Sequence, residues 1–217
     1  MRVFLAAAIL LSLAAPASAG SVTGHVSISP LRVSDMAFRP YAGRVSSLPS
    51  PSHPPRGLVT DAIVYVEQAP RGVTIPGRAE SPQLAQRGQA FDPRVVVVPV
   101  GGTVGFPNLD PIYHNVFSVS PLKRFDLGKY PRGQTRTVTF PRAGVVKVFC
   151  DIHADMAAFV LVTPTAAWAR AGSDGHYELT GLAPGRYRVS WWHPDAPGGT
   201  AEVDVPATGS VSLDVDL

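Results

Sequence analysis

Short runs of apolar residues, most of them closed by glycine or proline, recur along this chain. Residues 22–28 alternate apolar and polar positions, which is typical of a strand with one buried face. Residues 95–98 are consecutive valines, which predicts a strand buried on both faces. Further strands are predicted over residues 62–67, 113–118, 134–140, 144–149, 157–163, 177–179, 186–192, 202–205 and 211–215. Short strands separated by turn residues predict an all-β protein built as sandwiches or barrels.

The first 19 residues have a different pattern. Arg2 supplies a positive start, residues 3–15 are almost entirely apolar, and Ala17-Ser18-Ala19 is a small-residue cleavage site. This pattern predicts a secretory signal peptide over residues 1–19, whose apolar core is too short to span a membrane. No later segment is long and apolar enough for a membrane span. We therefore expect an exported chain, periplasmic or secreted, that begins near Gly20.

Charge and cysteine content narrow the classes of function. The chain has 19 Lys and Arg against 16 Asp and Glu, and removal of Arg2 leaves a net charge of about +2. So small and dispersed a charge gives no reason to expect a nucleic-acid partner. The basic residues between 123 and 132 are interpreted as a solvated loop. Because the chain has one cysteine, it forms no intramolecular disulfide, and a lone exported thiol is open to oxidation unless it is buried or metal-bound.

Breaks in the pattern suggest the domain limits. Residues 29–58 are rich in proline and serine, which predicts a long loop or linker, and residues 70–87 are irregular. We divide the exported chain into residues 20–85, with N-terminal strands and the linker, a central domain over 86–163, and a C-terminal β-sandwich segment over 164–217.

One cluster of residues carries metal-binding chemistry. Cys150, His153 and Met156 lie within seven residues at the end of a predicted strand, and His114 lies on another strand 36 residues earlier. Two imidazoles, a thiolate and a weak thioether are the ligand set of mononuclear redox copper sites. Zinc also accepts one Cys and two His, although a thioether is a poor ligand for it. Each residue alone is more often an ordinary core or surface residue, but the four together favour copper.

The central domain resembles the cupredoxins, the blue-copper family that includes plastocyanin and amicyanin. The matching pieces are Phe91-Asp92-Pro93, Gly102-Thr103-Val104-Gly105-Phe106-Pro107-Asn108, His114-Asn115-Val116 and Cys150-x-x-His153-x-x-Met156. The resemblance implies a Greek-key β-sandwich that binds one type 1 copper ion. It also implies equatorial ligands His114, Cys150 and His153, with Met156 axial. Asn115 takes the place of the residue that ties the two ligand segments together by hydrogen bonding.

The short spacing from His153 to Met156 is similar to amicyanin, and the pattern resembles exported proteins of methylamine utilisation. A dinuclear purple copper centre needs two bridging cysteines, so the single cysteine excludes it.

The flanking segments resemble a second type of sandwich. Residues 173–189 are similar to the closing half of a carboxypeptidase-regulatory-like, transthyretin-like β-sandwich, and residues 22–26 and 61–66 resemble its opening strands. We hypothesise one discontinuous sandwich made from both ends of the chain, with the central domain inserted between them.

The expected function is therefore one-electron transfer by a copper ion cycling between Cu(I) and Cu(II), not catalysis. His153 is the expected electron gateway, and Ile112, Tyr113, Ala154 and Ala157 form an expected docking patch for a redox partner that the sequence does not identify. Copper storage or delivery, or an interaction module with a structural metal, stay open as alternatives, and the sequence gives no oligomeric state. The other histidines are interpreted as surface residues (His25 and His176), a solvated linker residue (His53) and a core or domain-contact residue (His193).

Overall fold

The computed structural model describes residues 19–29, 58–77 and 81–217. The predicted signal segment up to residue 18 and most of the predicted linker, His53 included, lie outside the described residues. The described residues form one 3-10 turn at Val59–Asp61 and these strands: β1 Gly20–Ser27, β2 Ile63–Gln68, β3 Ala85–Arg87, β4 Ala90–Asp92, β5 Val95–Pro99, β6 Thr103–Pro107, β7 His114–Ser118, β8 Phe125–Tyr130, β9 Thr135–Thr139, β10 Gly144–Phe149, β11 Ala157–Thr163, β12 Trp168–Arg170, β13 His176–Leu182, β14 Gly185–His193, β15 Ala196–Val205, β16 Gly209–Ser212 and β17 Val215–Asp216. The predicted all-β class is confirmed, and no helix among these residues is long and apolar enough to cross a membrane.

Strands β3 to β11 form the first sandwich. One of its sheets has the strand order β5-β11-β10-β7-β8, in which β5 runs parallel to β11 and the other neighbours are antiparallel. The pairs β3-β4 and β6-β9 lie beside each other through bridges from Gln83 to Gly105 and from Gln86 to Asn108. The valines of β5 are buried throughout, as their uninterrupted apolar run predicts. The core between the layers contains Phe106, Val116, Val148, Cys150 and Met156.

Strands from both ends of the chain form the second sandwich. In one sheet β1 is antiparallel to β13 and parallel to β16 and β17, and the other sheet has the order β12-β2-β14-β15. Its core includes Val22 and Val64 from the N-terminal strands and Tyr187, Val189 and Val203 from the C-terminal strands. The N-terminal strands thus pair with strands that follow the first sandwich in sequence. The hypothesised insertion and the domain limits at residues 86 and 164 stay predictions.

A buried ion-pair cluster joins the two sandwiches. Arg94, between β4 and β5, donates from Nη1 and Nη2 to the two carboxylate oxygens of Asp195, at 2.6 and 2.7 Å. Its Nη1 also lies 3.2 Å from Oδ2 of Asp61. Next to this cluster the rings of Phe159 and Trp192 lie 5.6 Å apart. Since Arg94 belongs to the first sandwich and both aspartates to the second, this charge cluster is part of the contact between them.

The structure corrects several sequence-based interpretations. The basic segment around residues 123–132 is not a loop throughout, because β8 runs from Phe125 to Tyr130 inside it. Buried and exposed positions do not alternate along β8, so this segment lacks the two-residue repeat that predicts a strand. The irregular segment 70–87 ends in β3, and β4 and β12 are also additional strands, each of three residues. The predicted strand over residues 211–215 is instead divided into β16 and β17.

Candidate metal centre

Three side chains with metal-binding atoms meet at one end of the first sandwich. His114 is the first residue of β7, Cys150 directly follows β10, and His153 lies in the loop between β10 and β11. Strands β7 and β10 are neighbours in the five-stranded sheet, so their ends bring His114 and Cys150 together. Sγ of Cys150 lies 3.9 Å from Nδ1 of His114 and 3.8 Å from Nδ1 of His153, and the two Nδ1 atoms are 3.1 Å apart. One ligand atom from each residue lies within 4.8 Å of the others.

The loop that carries Cys150 and His153 is closed by its own backbone. The amide of Met156 donates to the carbonyl of His153 at 3.1 Å, and the amide of Cys150 donates to the carbonyl of Met156 at 3.3 Å. The two bonds form a tight turn that holds both ends of the loop beside each other. Met156 is buried in the same core cluster as Cys150. The fourth residue predicted from the sequence therefore lies in the core at the end of this loop.

Asp110 is a site residue that the sequence analysis missed. Its Oδ2 lies 2.8 Å from Nε2 of His114, the ring nitrogen that does not face Cys150. The same carboxylate accepts backbone amides of Gly88 and Gln89 at 2.6 and 2.8 Å. Burial opposes the charge on this carboxylate, but these hydrogen bonds outweigh it and lower the pKa of Asp110. The available signal was an acid four residues before the candidate ligand, in Pro107-Asn108-Leu109-Asp110.

The surroundings of Cys150 and His114 favour the charged form of each group. Burial opposes ionisation of Cys150, but hydrogen bonds from His114 and from nearby backbone amides outweigh it and lower the pKa of the thiol. Burial also disfavours a charged His114, yet its contacts with Cys150 and Asp110 outweigh burial and raise its pKa. The pKa of His153 is lowered by burial and by the neighbouring His114. A thiolate and a neutral imidazole are the forms that bind a metal ion. The lowered pKa values of Cys150 and His153 favour these forms, whereas His114 has to release its proton when a metal binds.

Asn115 acts on the site mainly through its backbone. A hydrogen bond from the backbone of Asn115 contributes to the lowered pKa of the Cys150 thiol. Its side-chain nitrogen donates to Oδ1 of Asp126 on β8 at 2.7 Å, and its buried Oδ1 has no hydrogen-bond partner among the described residues. The backbone of Asn115 thus helps to lower the pKa of the Cys150 thiol, whereas its side chain donates to the neighbouring strand. The expected tie between the two ligand segments stays a prediction.

The site is open on one side, where exposed apolar side chains lie beside it. His114 and Cys150 are inaccessible to solvent, whereas His153 is partly exposed. Ile112 and Tyr113, next to His114, are 39% and 59% exposed. Of the other predicted patch members, Ala154 and Ala157 are half-buried, and Ile152 is an exposed apolar neighbour that the sequence analysis left out.

The remaining described histidines lie in the second sandwich. His25 and His176 are exposed, in agreement with their interpretation as surface residues. His193 is buried, its Nε2 lies 3.0 Å from the carbonyl oxygen of Leu58, and its Nδ1 accepts the amide of Asp195 at 3.1 Å. His193 thus supports the turn between β14 and β15 that carries Asp195.

Comparisons with known proteins give structural neighbours only. No protein-family model matches this chain, and no curated protein matches it. A novel purple cupredoxin from Nitrosopumilus maritimus is 23% identical, over 38% of this chain and 100% of its own, with a TM-score of 0.36. A Cu-containing nitrite reductase from Thermus scotoductus SA-01 is 26% identical, over 38% of this chain and 22% of its own, with a TM-score of 0.36. An amicyanin variant in the Cu(I) state is 20% identical, over 47% of this chain and 98% of its own, with a TM-score of 0.36.

Proposed function

We propose that this protein is an exported mononuclear copper protein that carries single electrons. The observation that supports this proposal is the group formed by His114, Cys150 and His153, whose ligand atoms lie within 4.8 Å of one another at the end of a β-sandwich. These three residues would hold the copper ion, and the thioether of Met156 would be the fourth donor. The predicted signal peptide implies an oxidising compartment, in which a metal-bound thiolate is protected from oxidation.

The donor set fits copper better than zinc. Soft sulfur ligands combined with imidazole favour copper, and geometry and ligand type select the metal more than affinity does. Zinc would accept the three nearest donors, but structural zinc sites take four nitrogen, sulfur or oxygen ligands, and a thioether is not one of the usual four. Met156 at the end of the ligand loop therefore favours copper.

The protein's own groups hold the donors and exclude water. A bound copper ion would supply one-electron exchange between Cu(I) and Cu(II). The backbone turn closed by Met156 holds Cys150 and His153, while Asp110 orients His114. Because His114 and Cys150 are buried at the ends of packed strands, these two donors have little freedom to move when the charge changes. A site that changes little between the two charge states is what fast electron exchange needs.

We propose that electrons enter and leave at His153. It is the partly exposed donor, and exposed apolar side chains at Ile112 and Tyr113 lie beside His114 at the same end of the sandwich. Complexes of electron carriers are brief and bury little surface, so a small apolar patch is sufficient for docking. The proposed partner is a redox protein with a complementary apolar patch.

The visible and EPR spectra of the copper-loaded exported chain test this proposal. We expect an intense blue colour from charge transfer between thiolate and copper, with one copper bound per chain. Cys150→Ser removes the thiolate and should abolish the blue colour. The control is Ser118→Ala, a buried change at the other end of β7 from His114, which should leave the colour in place. A colourless protein with an ordinary Cu(II) spectrum would contradict the proposal.

Copper delivery is the second candidate, and the partial exposure of His153 favours it because a partly exposed ligand can be reached by an acceptor. Reversible one-electron voltammetry supports the carrier. Transfer of copper to an acceptor within seconds, without a reversible voltammetric wave, would support delivery instead.

A further inference from the structure

Two histidines face each other on the outer surface of the second sandwich. His25 on β1 is the register partner of His176 on β13, both are exposed, and their ring centroids lie 5.5 Å apart. The amide of His25 donates to Oδ1 of Asp214, and that of His176 donates to Oδ1 of Asp174. Since neither amide bonds to the opposite strand, this is the non-hydrogen-bonded type of antiparallel pair, in which side chains come closest.

The surrounding surface is acidic. The segments that build this sheet, residues 19–29, 172–185 and 206–217, contain no Lys or Arg. They contain four acidic residues: Asp174, Glu178, Asp214 and Asp216. Two of these carboxylates are held next to the histidines by the hydrogen bonds to the histidine amides. A surface with this charge pattern attracts cations and repels anions.

We propose that His25 and His176 form a second metal site, which binds a divalent transition-metal cation: Cu(II), Ni(II) or Zn(II). Imidazole is a good ligand for all three ions, and the Irving–Williams order places Cu(II) first. Bonds from nitrogen to such ions are about 2.0–2.1 Å long, so one ion reaches a nitrogen of each of two rings whose centroids are this close. Water molecules complete the coordination, because the site is exposed.

The site is chemically distinct from the centre at Cys150. It contains no sulfur, lies on the second sandwich and is open to solvent, so it lacks the soft ligands that select Cu(I) and suits divalent ions. Thr23 precedes His25 by two residues on the same strand face, and its Oγ1 lies 3.1 Å from Nε2 of His176. This contact restrains the His176 ring. The proposal does not depend on copper binding at Cys150.

The test is NMR of histidine ring nitrogens in the wild-type exported chain during titration with Zn(II), a diamagnetic probe. We expect the ring signals of His25 and His176 to shift together and to saturate at one ion per pair. His25→Ala should reduce the affinity measured at His176 at least tenfold, and His176→Ala should do the same at His25. Backbone amide signals elsewhere show whether each variant keeps its fold.

Two control variants separate a paired site from isolated binding. Thr180→Ala changes an exposed residue of β13 that the proposal does not use, so the affinity should equal that of the wild type. His53→Ala removes an imidazole elsewhere in the chain and should also leave it unchanged. Ring signals that do not move, or a His176 response that is unaffected by His25→Ala, would overturn the proposal. Whether a metal binds at Cys150 is a separate question, which the ring signals of His114 and His153 answer.

Discussion

Asp110 contacts His114 on the side of the imidazole away from the other donors, with Oδ2 at 2.8 Å from Nε2. A carboxylate in this place accepts the Nε2 proton and leaves Nδ1, the atom that faces Cys150 and His153, free to bind a metal. Hydrogen-bond partners of this kind fix the orientation of a ligand and raise its basicity. Asp110 is thus a positioning residue that does not itself belong to the donor set.

Asp110→Asn should weaken copper binding about 10–100-fold, which is the usual cost of losing such a partner. Asp110→Asn should also raise the reduction potential. The carboxylate of Asp110 stabilises Cu(II) more than Cu(I), and the substitution removes its negative charge. A tenfold change in the ratio of the two affinities equals about 59 mV for one electron. Competition titrations measure the affinities and cyclic voltammetry measures the potential.

The matched control is Asp151→Asn. Asp151 is adjacent to Cys150 in sequence, but its side chain is 47% exposed, and its Oδ2 lies 4.0 Å from Nζ of Lys129. Its loss should change copper affinity and potential much less than the loss of Asp110. Equal effects of the two substitutions would mean that only net charge matters, and a lowered potential in Asp110→Asn would contradict the positioning role.

Met156→Leu tests the proposed axial ligand. Leucine has a similar volume, so the cost in unfolding free energy should stay below about 1.5 kcal/mol. The blue colour should persist because the thiolate and both imidazoles remain, while the potential rises because Cu(II) loses a weak sulfur donor. Voltammetry and denaturant unfolding of the same sample measure both effects. An unchanged potential would show that Met156 is a core residue only.

Local pattern explains which parts of this structure could be predicted from the sequence. Strands such as β10 and β11 follow from apolar runs with clear ends, and their observed bounds agree with the predicted ones. Cys150, His153 and Met156 share one short loop, so their proximity follows from chain connectivity. The proximity of His114 to this loop does not follow from connectivity, and its prediction required the further inference that two strand ends meet.

Contacts between distant segments could not be predicted in this way. Asp110 reaches His114 within one loop, but its carboxylate is held by the turn at Gly88 and Gln89, which no periodicity places there. The pairing of His25 with His176 joins residues from opposite ends of the chain, and it depends on strand register. A register shift of one residue would place either side chain on the other face of the sheet.

Arg94→Ala should lower the free energy of unfolding by about 3–5 kcal/mol, the usual cost of removing one partner from a buried ion pair. The side chain of Asp195 is inaccessible and that of Asp61 is 10% exposed, so both carboxylates would lose their buried counter-charge. Because Arg94 joins the two sandwiches, we also expect their unfolding transitions to separate in denaturant. Circular dichroism and tryptophan fluorescence measure the two transitions.

Arg188→Ala provides the control for Arg94. Arg188 pairs with Glu202 at 2.9 Å, but both side chains are at least 40% exposed. Such surface pairs contribute about 0–1 kcal/mol. A loss in Arg94→Ala no larger than in Arg188→Ala would show that the buried cluster does not stabilise the contact between the sandwiches.

His193 should make the metal-free protein less stable as the pH falls through about 6.5. Burial lowers its pKa in the folded state, despite the opposing contact with Leu58, and Nδ1 already accepts the amide of Asp195. The unfolded chain therefore binds a proton at this residue more readily than the folded chain, and stability is lost as the pH drops below the unfolded value. His193→Gln should reduce the fall in melting temperature between pH 7 and pH 5, measured with a chelator present. If His193→Gln shows the same pH dependence as the wild type, protonation of His193 does not contribute to acid unfolding.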